Sequence, residues 1–405
     1  MAPAASRKVS LAVFGNQPAF AEPLHVGRPN LPDKRAILER IAGALDRNWL
    51  TNGGPLVAEF ERRGAAEAGV KHCVAVANGT IALELAVRAL GLTGEVIVPA
   101  FTFIASAHAL AWHNVTPVFC DADPLTHTID PRHAEELVTP RTSGILGVHL
   151  WGRACDVDAL AELADRKRLT LLFDAAHAFG CTHGGRSIGR FGSCEIFSFH
   201  ATKFVHCGEG GAVTTNNDLL AERLRLLRNF GFAGYDCVTA IGTNAKMSEL
   251  AAAVGLTSLD HKTTIIASNR ANYEGYRRGL AGVPGLKLLP FDPREVSNFQ
   301  YVVLEVDERT AGISRDELAA VLSAENILAR RYFFPGCHRM DAYRSSAEGA
   351  VPSLPVTEFL AERVLALPTG LQLDEASVLR IADIVRTAVE SAPAVRHHLG
   401  QRRAA

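Results

Sequence analysis

The 405-residue sequence lacks an excess of charge of either sign, since 42 Lys and Arg residues stand against 43 Asp and Glu residues. Nucleic-acid-binding proteins usually carry clustered basic residues, so this balance argues against that class. No apolar run approaches the ~18 residues that a membrane span needs, and residues 1–15 lack the long apolar core of a signal peptide. We therefore expect a cytoplasmic protein that binds neither nucleic acid nor a membrane.

Paired cysteines and nucleotide-binding glycine loops are also missing. None of the eight cysteines belongs to a CxxC pair, so we expect reduced, mostly buried thiols and no metal site. Gly208–Gly211 lacks the spacing of a dinucleotide loop, and residues 242–248 lack the second glycine of a P-loop. Because no strand-turn-helix segment carries GxGxxG, an oxidoreductase of the dinucleotide-binding type is excluded.

What is present from about residue 70 to 215 is an alternation of short apolar runs with helix-like segments, which is typical of a sheet with crossover helices. Several runs are almost wholly apolar, as in strands covered on both faces. A long helical stretch and a smaller α/β region follow, so we predict a large domain over residues 1–260 and a small C-terminal domain over residues 261–405. The predicted strands of the large domain are His72–Ala77, Glu95–Val98, Pro117–Cys120, Gly144–His149, Leu169–Phe173, Glu195–Ser198 and Gly211–Thr215.

Two ionisable residues follow two of these strands. Asp174 opens Asp174-Ala-Ala-His177, and Lys203 closes Ser198-Phe-His-Ala-Thr-Lys203. A lysine amine can hold the aldehyde of pyridoxal 5'-phosphate (PLP) as a Schiff base. A carboxylate can keep the pyridine nitrogen protonated, so that the ring accepts electrons. The pair therefore indicates a PLP-dependent enzyme.

Further residues fit the same cofactor, although each has a plain structural alternative. Asn78-Gly79-Thr80 turns from a strand into a helix, whose N-terminal N–H groups suit a phosphate dianion. Ser198 offers a second hydroxyl, His177 could donate to the phenolate oxygen, and Phe103 could stack on the pyridine ring. The alternatives are helix caps for the Asn78 turn and Asp174, a polar residue at a helix start for His177, and a core ring for Phe103.

In their order and spacing, the motifs resemble the DegT/DnrJ/EryC1/StrS family of PLP-dependent sugar aminotransferases over about residues 24–385. The resemblance implies an α/β fold of the PLP-dependent transferase fold type I, which is aspartate aminotransferase-like and has a central, mostly parallel sheet. The matching segments are Trp49-Leu-Thr-Asn-Gly-Gly-Pro55, Glu59-Phe-Glu61, Asn78-Gly-Thr80, Val98-Pro-Ala-Phe-Thr-Phe103, Asp174-Ala-Ala-His177, Ser198-Phe-His-Ala-Thr-Lys203, Glu209-Gly-Gly211 and Gly242-Thr-Asn-Ala-Lys-Met-Ser-Glu249.

The same resemblance implies roles for individual residues. Lys203 would be the Schiff-base lysine, Asp174 the pyridinium partner and Phe103 the stacking ring. His177 would lie near the cofactor hydroxyl. The phosphate would be held by Gly79, Thr80 and Ser198 and, from a neighbouring subunit, by Asn244, which implies a homodimer with shared active sites. The residues expected to bind the substrate are Arg28, Thr51, Asn229, Arg331 and Tyr332.

Within the family, the sequence is most similar to 4-aminotransferases that act on dTDP-4-keto-6-deoxy-D-glucose. We expect transfer of an amino group from L-glutamate to this nucleotide-linked keto sugar, giving dTDP-4-amino-4,6-dideoxy-D-glucose. Gly79 departs from the alanine usual in that subgroup, and Val205-His-Cys-Gly208 replaces an asparagine-containing loop, which could change how the sugar sits. The similarity rests on Leu24-His-Val-Gly-Arg-Pro-Asn30, Gly147-Val-His-Leu-Trp-Gly152, Asn229-Phe-Gly-Phe232 and Arg331-Tyr-Phe-Phe-Pro-Gly-Cys-His338.

Three alternatives stay open at this point. Amination at the sugar 3-position would use much the same motifs. The family's 3-dehydratase branch is disfavoured, because its members carry histidine where this chain has Lys203. A non-catalytic sensor or scaffold protein with a PLP-enzyme fold is disfavoured by the presence of both Lys203 and Asp174.

Overall fold

The structure is a computed structural model that describes residues 10–344 and 351–404. Residues 1–9, on which much of the signal-peptide argument rests, lie outside this part. None of the described helices is both long and apolar enough to cross a membrane.

The strands and helices of the described residues are as follows. The strands are β1 Leu24–His25, β2 His72–Val76, β3 Glu95–Pro99, β4 Thr116–Cys120, β5 Thr142–Val148, β6 Thr170–Asp174, β7 Thr182–His183, β8 Arg186–Ser187, β9 Glu195–Ser198, β10 Gly211–Thr215, β11 Phe232–Gly234, β12 Cys237–Val238, β13 Leu286–Leu288, β14 Val302–Val306, β15 Ile327–Leu328 and β16 Val364–Leu367. The helices are α1 Lys34–Asp46, α2 Pro55–Ala68, α3 Gly79–Leu90, α4 Ala105–Ala111, α5 Pro131–Glu136, α6 Val157–Lys167, α7 Asp218–Arg228, α8 Glu249–Asp260, α9 Lys262–Gly279, α10 Glu308–Ala311, α11 Arg315–Ala324, α12 Asp341–Arg344, α13 Pro355–Arg363, α14 Glu375–Glu390 and α15 Ala392–Ala404.

The large sheet has seven strands in the order β2-β10-β9-β6-β5-β3-β4. Neighbouring strands from β9 to β4 are parallel, whereas β10 is antiparallel to both β9 and β2. Six of the seven strands therefore point the same way. These seven strands are the seven predicted from the sequence, and the mostly parallel sheet confirms the predicted fold class.

Helices cover both faces of this sheet, which explains why its strands are apolar along their length. On one face, Ile97 of β3 packs in a core with residues of α2, α6 and α8, such as Phe60. On the other face, Val96 and Val98 pack with residues of α3, α4 and α7, such as Leu85. Alternate residues of one strand thus enter opposite cores, and the parallel strands end together at one edge.

A third core is built around the antiparallel sheet β13-β14-β16. Residues of α9, α11, α14 and α15 pack against it, together with Leu11 and Val13 from the start of the chain. Strand β1 also pairs with β15. The N-terminal segment therefore packs with the C-terminal part, while the predicted domain division near residue 260 stays a prediction.

Candidate active site

Several of the predicted site residues lie where parallel strands end. Asp174 is the last residue of β6 and Ser198 the last of β9, while Asn78 follows β2. Phe103 follows β3 and lies just before α4. Because these strands are parallel, their carboxyl ends meet at the same edge, which is where open α/β sheets bind ligands.

The Lys203 amine is held within this group. Its Nζ atom donates a hydrogen bond to the Tyr301 hydroxyl at 2.9 Å. Burial lowers the pKa of the amine to about 8, although the negative charge of Asp174 acts in the opposite direction. Near physiological pH a minority of the amine is therefore neutral, a far larger share than for an ordinary lysine, and the neutral form is the one that attacks carbonyl groups and accepts protons.

The Asp174 carboxylate lies close to the amine and is only 5% exposed. Its Oδ2 atom accepts a hydrogen bond from Ser106 Oγ at 2.8 Å, and Oδ1 accepts one from the Ala176 N–H at 3.0 Å. Burial raises the pKa of Asp174, while these two bonds and the charge of Lys203 partly oppose that effect. A cationic ring nitrogen placed against this carboxylate would compensate for its burial, so the site fits a protonated pyridine.

A buried histidine–glutamate pair lies behind Asp174. The backbone N–H of His149 donates to the Asp174 carbonyl oxygen at 2.9 Å. In its side chain, the ring atom Nε2 lies 3.1 Å from Glu195 Oε1. Burial opposes protonation of His149, but Cys155 and Glu195 together raise its pKa to about 10. The resulting positive charge lowers the pKa of Asp174 and so favours the ionised carboxylate.

His177 presents an unused ring nitrogen to the site. Its ring is buried between Trp151, at a centroid distance of 5.8 Å, and Tyr301, at 4.2 Å. Its Nδ1 atom has no hydrogen-bond partner among the described residues. Burial and the charge of Lys203 hold the pKa of His177 well below its usual range. Since a buried polar atom normally has a partner, this nitrogen fits the hydroxyl group of a bound cofactor.

The predicted phosphate residues are brought together. Asn78 caps α3, because its Oδ1 atom accepts the Ile81 N–H at 2.9 Å. Gly79 starts the helix so close to Ser198 that a Cβ atom at position 79 would lie 2.9 Å from Ser198 Cβ. Thr80 is exposed at the same helix start. In this chain an alanine at position 79 would therefore crowd Ser198.

The remaining cofactor candidates lie around this group. Phe103 is 55% exposed, and its carbonyl oxygen accepts the N–H of Ser106, the residue that contacts Asp174. Asn244 is exposed and bridges Asn229 through the backbone. The carbonyl oxygen of the neighbouring Ala245 accepts the Ala77 N–H at 2.9 Å. Ala77 immediately precedes the phosphate turn, residues 78–80, which is predicted to bind the phosphate.

Two of the substrate candidates border the Lys203 group. Tyr332 lies 5.8 Å from Trp151 and 6.2 Å from Tyr301, measured between ring centroids. Arg28 is exposed and follows Gly27, whose Cα is so close to Thr202 that an added Cβ would lie 2.8 Å from Thr202 Cβ.

The other three substrate candidates lie apart from the lysine in this chain. Arg331 pairs with Asp316 at 3.2 Å and lies over the Phe334 ring. Asn229 lines a small cleft of about 130 Å³ together with Asn52 and Lys246. Thr51, next to Asn52, is exposed. No described contact joins these three residues to Lys203 or Asp174.

The loop that follows the lysine is buried rather than open to a ligand. His206 Nε2 donates to the Asn30 carbonyl oxygen at 2.7 Å, and burial lowers the pKa of the ring. Cys207 packs in the core beside Phe60, and burial raises the pKa of its thiol well above the ordinary range. The His206 and Cys207 side chains therefore face the interior of the protein.

Five residues of the candidate site were not predicted from the sequence. Ser106 follows Phe103 by one helical turn, and this spacing was a usable signal. Trp151 lies in a segment already noted for its similarity. No local pattern pointed to the others, which come from a distant segment of the chain. The five residues are Ser106, Trp151, Asn298, Gln300 and Tyr301.

Comparison with known proteins decides the family. The model of the DegT/DnrJ/EryC1/StrS aminotransferase family matches residues 32–386. The chain belongs to this family. It is therefore a PLP-dependent sugar aminotransferase, as the resemblance implied, and the geometry around Lys203 and Asp174 fits the cofactor.

Relatives of this aminotransferase include enzymes named for different sugars. It is 37% identical over 365 residues to a dTDP-4-amino-4,6-dideoxy-D-glucose transaminase of Shigella dysenteriae, covering 90% of this chain and 99% of the relative. It is 40% identical over 338 residues to a dTDP-3-amino-3,4,6-trideoxy-alpha-D-glucose transaminase of Streptomyces venezuelae, covering 82% and 87%. The crystal structure of DesI with its TDP-sugar product superposes with a TM-score of 0.91 at 50% identity, covering 97% of this chain and 98% of that one.

Proposed function

We propose that this aminotransferase moves the amino group of L-glutamate to C4 of dTDP-4-keto-6-deoxy-D-glucose, giving dTDP-4-amino-4,6-dideoxy-D-glucose. The observation that carries the catalytic part is the Lys203 amine, which is partly neutral near pH 7 and lies beside Asp174. The choice of sugar is supported by the relative of that name, which matches over 99% of its own length.

Each residue then has a defined task. PLP, when bound, supplies the aldehyde that carries the amino group and a ring that withdraws electrons from the reacting carbon. In the glutamate half of the reaction, the neutral Lys203 amine takes a proton from the carbon that bears the amino group. In the sugar half, it delivers a proton to the sugar carbon that receives the amino group. Asp174 would keep the ring nitrogen protonated, and His177 Nδ1 would face the ring hydroxyl. Phe103 would cover a ring face, while Gly79, Thr80 and Ser198 would hold the phosphate.

Amination at C3 is the second candidate. It is supported by the 40% identity to the dTDP-3-amino-3,4,6-trideoxy-alpha-D-glucose transaminase. The residues around Lys203 serve either position equally, because they act on the carbon bearing the amine and not on the rest of the sugar. The choice between C3 and C4 therefore depends on how the nucleotide and sugar are oriented by residues such as Arg28, Arg331 and Tyr332.

The test is to incubate purified enzyme with PLP, L-glutamate and dTDP-4-keto-6-deoxy-D-glucose and to locate the new amine by NMR. We expect a 4-amino product and stoichiometric 2-oxoglutarate. Lys203→Ala is the control and should form neither product at a measurable rate. An enzyme that leaves this sugar unchanged but aminates the 3-keto isomer would replace the first candidate by the second, and an active Lys203→Ala variant would refute the role of the lysine.

We also propose a homodimer in which Asn244 reaches the phosphate of the neighbouring subunit. The support is a group of exposed apolar side chains around the β11–β12 hairpin, and such patches often mark protein interfaces. These side chains belong to Phe230, Phe232, Tyr235, Val238 and Ile241.

A mixing experiment tests this arrangement. Lys203→Ala and Asn244→Ala variants, each inactive alone, should regain about a quarter of wild-type activity when unfolded and refolded together, because half of the dimers then contain one intact site. No recovery despite dimer formation would place Asn244 at the site of its own subunit.

We also propose a cytoplasmic location, because the eight cysteines are all unpaired, as expected in a reducing compartment.

A further inference from the structure

A four-residue segment far from the lysine in sequence holds the lysine loop in place. The Gln300 side chain forms hydrogen bonds with the backbone on both sides of Lys203. Its Nε2 donates to the Thr202 carbonyl oxygen at 3.2 Å, and its Oε1 accepts the Phe204 N–H at 3.2 Å. Asn298, in the same segment, donates through Nδ2 to the carbonyl oxygens of His177 and Phe179, at 3.0 and 3.2 Å. The segment 298–301 therefore fixes the Lys203 loop relative to the His177 turn.

Tyr301 ends this segment and reaches the amine itself. Its ring is buried against His177 and Trp151, with centroid distances of 4.2 and 5.6 Å. Packing on the ring leaves the hydroxyl little freedom, and it lies 2.9 Å from Lys203 Nζ. Burial, together with Tyr332 and Asp174, raises the pKa of Tyr301 well above its usual range, so the hydroxyl stays protonated while Lys203 titrates.

We propose that Tyr301 is a catalytic residue of this aminotransferase, whose hydroxyl holds the Lys203 amine in place whenever that amine is not covalently attached to the cofactor. The inference rests on the proposed role of Lys203. A released lysine has four rotatable side-chain bonds, and proton transfer slows when its amine moves away from the reacting carbon. The Tyr301 hydroxyl gives the amine one defined resting place, used equally in the glutamate half and the sugar half of the reaction.

The hydroxyl also affects which form of the amine is favoured. The ionisable groups that face the amine are Asp174, His177 and Tyr301. A hydrogen bond from an ammonium group is roughly twice as strong as one from a neutral amine, so the phenol oxygen stabilises charged Lys203 more than neutral Lys203. Removing it should therefore lower the pKa of Lys203 further below its value of about 8.

The experiment compares wild type with Tyr301→Phe and with Tyr273→Phe as a matched control. Tyr273 is also buried, and its hydroxyl donates to the Leu289 carbonyl oxygen at 3.3 Å, so this variant loses a buried hydrogen bond elsewhere. The first measurement uses the cofactor-free proteins. Lys203 is labelled by brief exposure to an amine-reactive reagent across a range of pH and quantified by mass spectrometry. We expect the labelling midpoint of Tyr301→Phe to fall below that of wild type, while Tyr273→Phe keeps the wild-type midpoint.

The second measurement is kinetic. For Tyr301→Phe we expect kcat to fall roughly 10- to 100-fold, as for loss of a hydrogen bond to a charged group, with the KM values of both substrates nearly unchanged. A midpoint that is unchanged or raised, or a kcat equal to that of Tyr273→Phe, would overturn the proposal. Borohydride trapping of PLP on wild type separates this result from the proposed function. If PLP is trapped on a lysine other than Lys203, the proposed function fails, whatever Tyr301→Phe does.

Discussion

A buried lysine costs folding free energy whenever it carries a charge that its surroundings do not compensate. Burial lowers the pKa of Lys203 from 10.5 to about 8. Since one pKa unit corresponds to about 1.4 kcal/mol, charging the folded amine costs about 3 kcal/mol at pH 7. Replacing Lys203 with methionine removes this cost and gives up the hydrogen bond to Tyr301, which is worth about 1 kcal/mol. We therefore expect cofactor-free Lys203→Met to be more stable than wild type by about 2 kcal/mol near pH 7.

The pH dependence identifies the cause. The unfolded chain keeps the lysine proton up to the ordinary pKa of 10.5, whereas the folded protein releases it at about 8. The unfolded state binds more protons between these values, so the stability of wild type rises with pH through this window. The advantage of Lys203→Met should shrink by about 2 kcal/mol between about pH 7 and about pH 9.5.

Urea unfolding of both cofactor-free proteins at the two pH values measures this difference. Lys34→Met is the control, because Lys34 is exposed at the start of α1 and its replacement should give no comparable pH-dependent change. A stability difference between Lys203→Met and wild type that stays constant with pH would show that the charge on Lys203 does not destabilise the folded protein. The explanation of its reactivity by burial would then be wrong.

Three further changes test other parts of the site. Asp174→Asn should still bind PLP, observed by absorbance, but should lose about 100-fold or more in single-turnover rate with glutamate, because it no longer holds the ring nitrogen protonated; an unchanged rate would contradict this role. Gly79→Ala places a Cβ atom 2.9 Å from Ser198 Cβ and should cost about 1–3 kcal/mol of stability, whereas adding Ser198→Gly should restore stability but not PLP affinity, as calorimetric titration would show. His206→Leu leaves the buried Asn30 carbonyl oxygen without its 2.7 Å partner and should cost about 1–3 kcal/mol in urea unfolding; a neutral effect would mean that water or the backbone replaces the histidine.

Much of the large sheet could be predicted because its chemistry is local in sequence. Strands covered on both faces must be apolar throughout, so their runs stand out, and all seven were found. The candidate site residues at strand ends could be predicted for the same reason, because Asp174 and Ser198 are polar residues at the ends of such runs. Parallel strands then bring their ends together without any further information from the sequence.

The residues that could not be predicted reach the site from outside this pattern. Tyr301 is an ordinary aromatic residue just before the strand β14, about a hundred residues after Lys203, and only tertiary packing turns its hydroxyl toward the amine. The role of His206 was also hidden, because its position three residues after Lys203 does not indicate its tertiary partner. Its ring is instead buried on the Asn30 carbonyl oxygen.

The contacts of segment 298–301 bear on how the two parts of the chain share the chemistry. The proposed boundary near residue 260 leaves Lys203, Asp174 and the phosphate turn on its N-terminal side. Gln300 and Tyr301, which hold the lysine loop and the amine, lie on its C-terminal side. A movement of the C-terminal part relative to the sheet would therefore shift the lysine itself. Tyr332, which we propose contacts the substrate, packs near Tyr301, so a substrate bound there would affect the hydroxyl that holds the amine. On this reasoning, substitutions in the C-terminal part that leave every cofactor contact intact should still change the rate of proton transfer at Lys203.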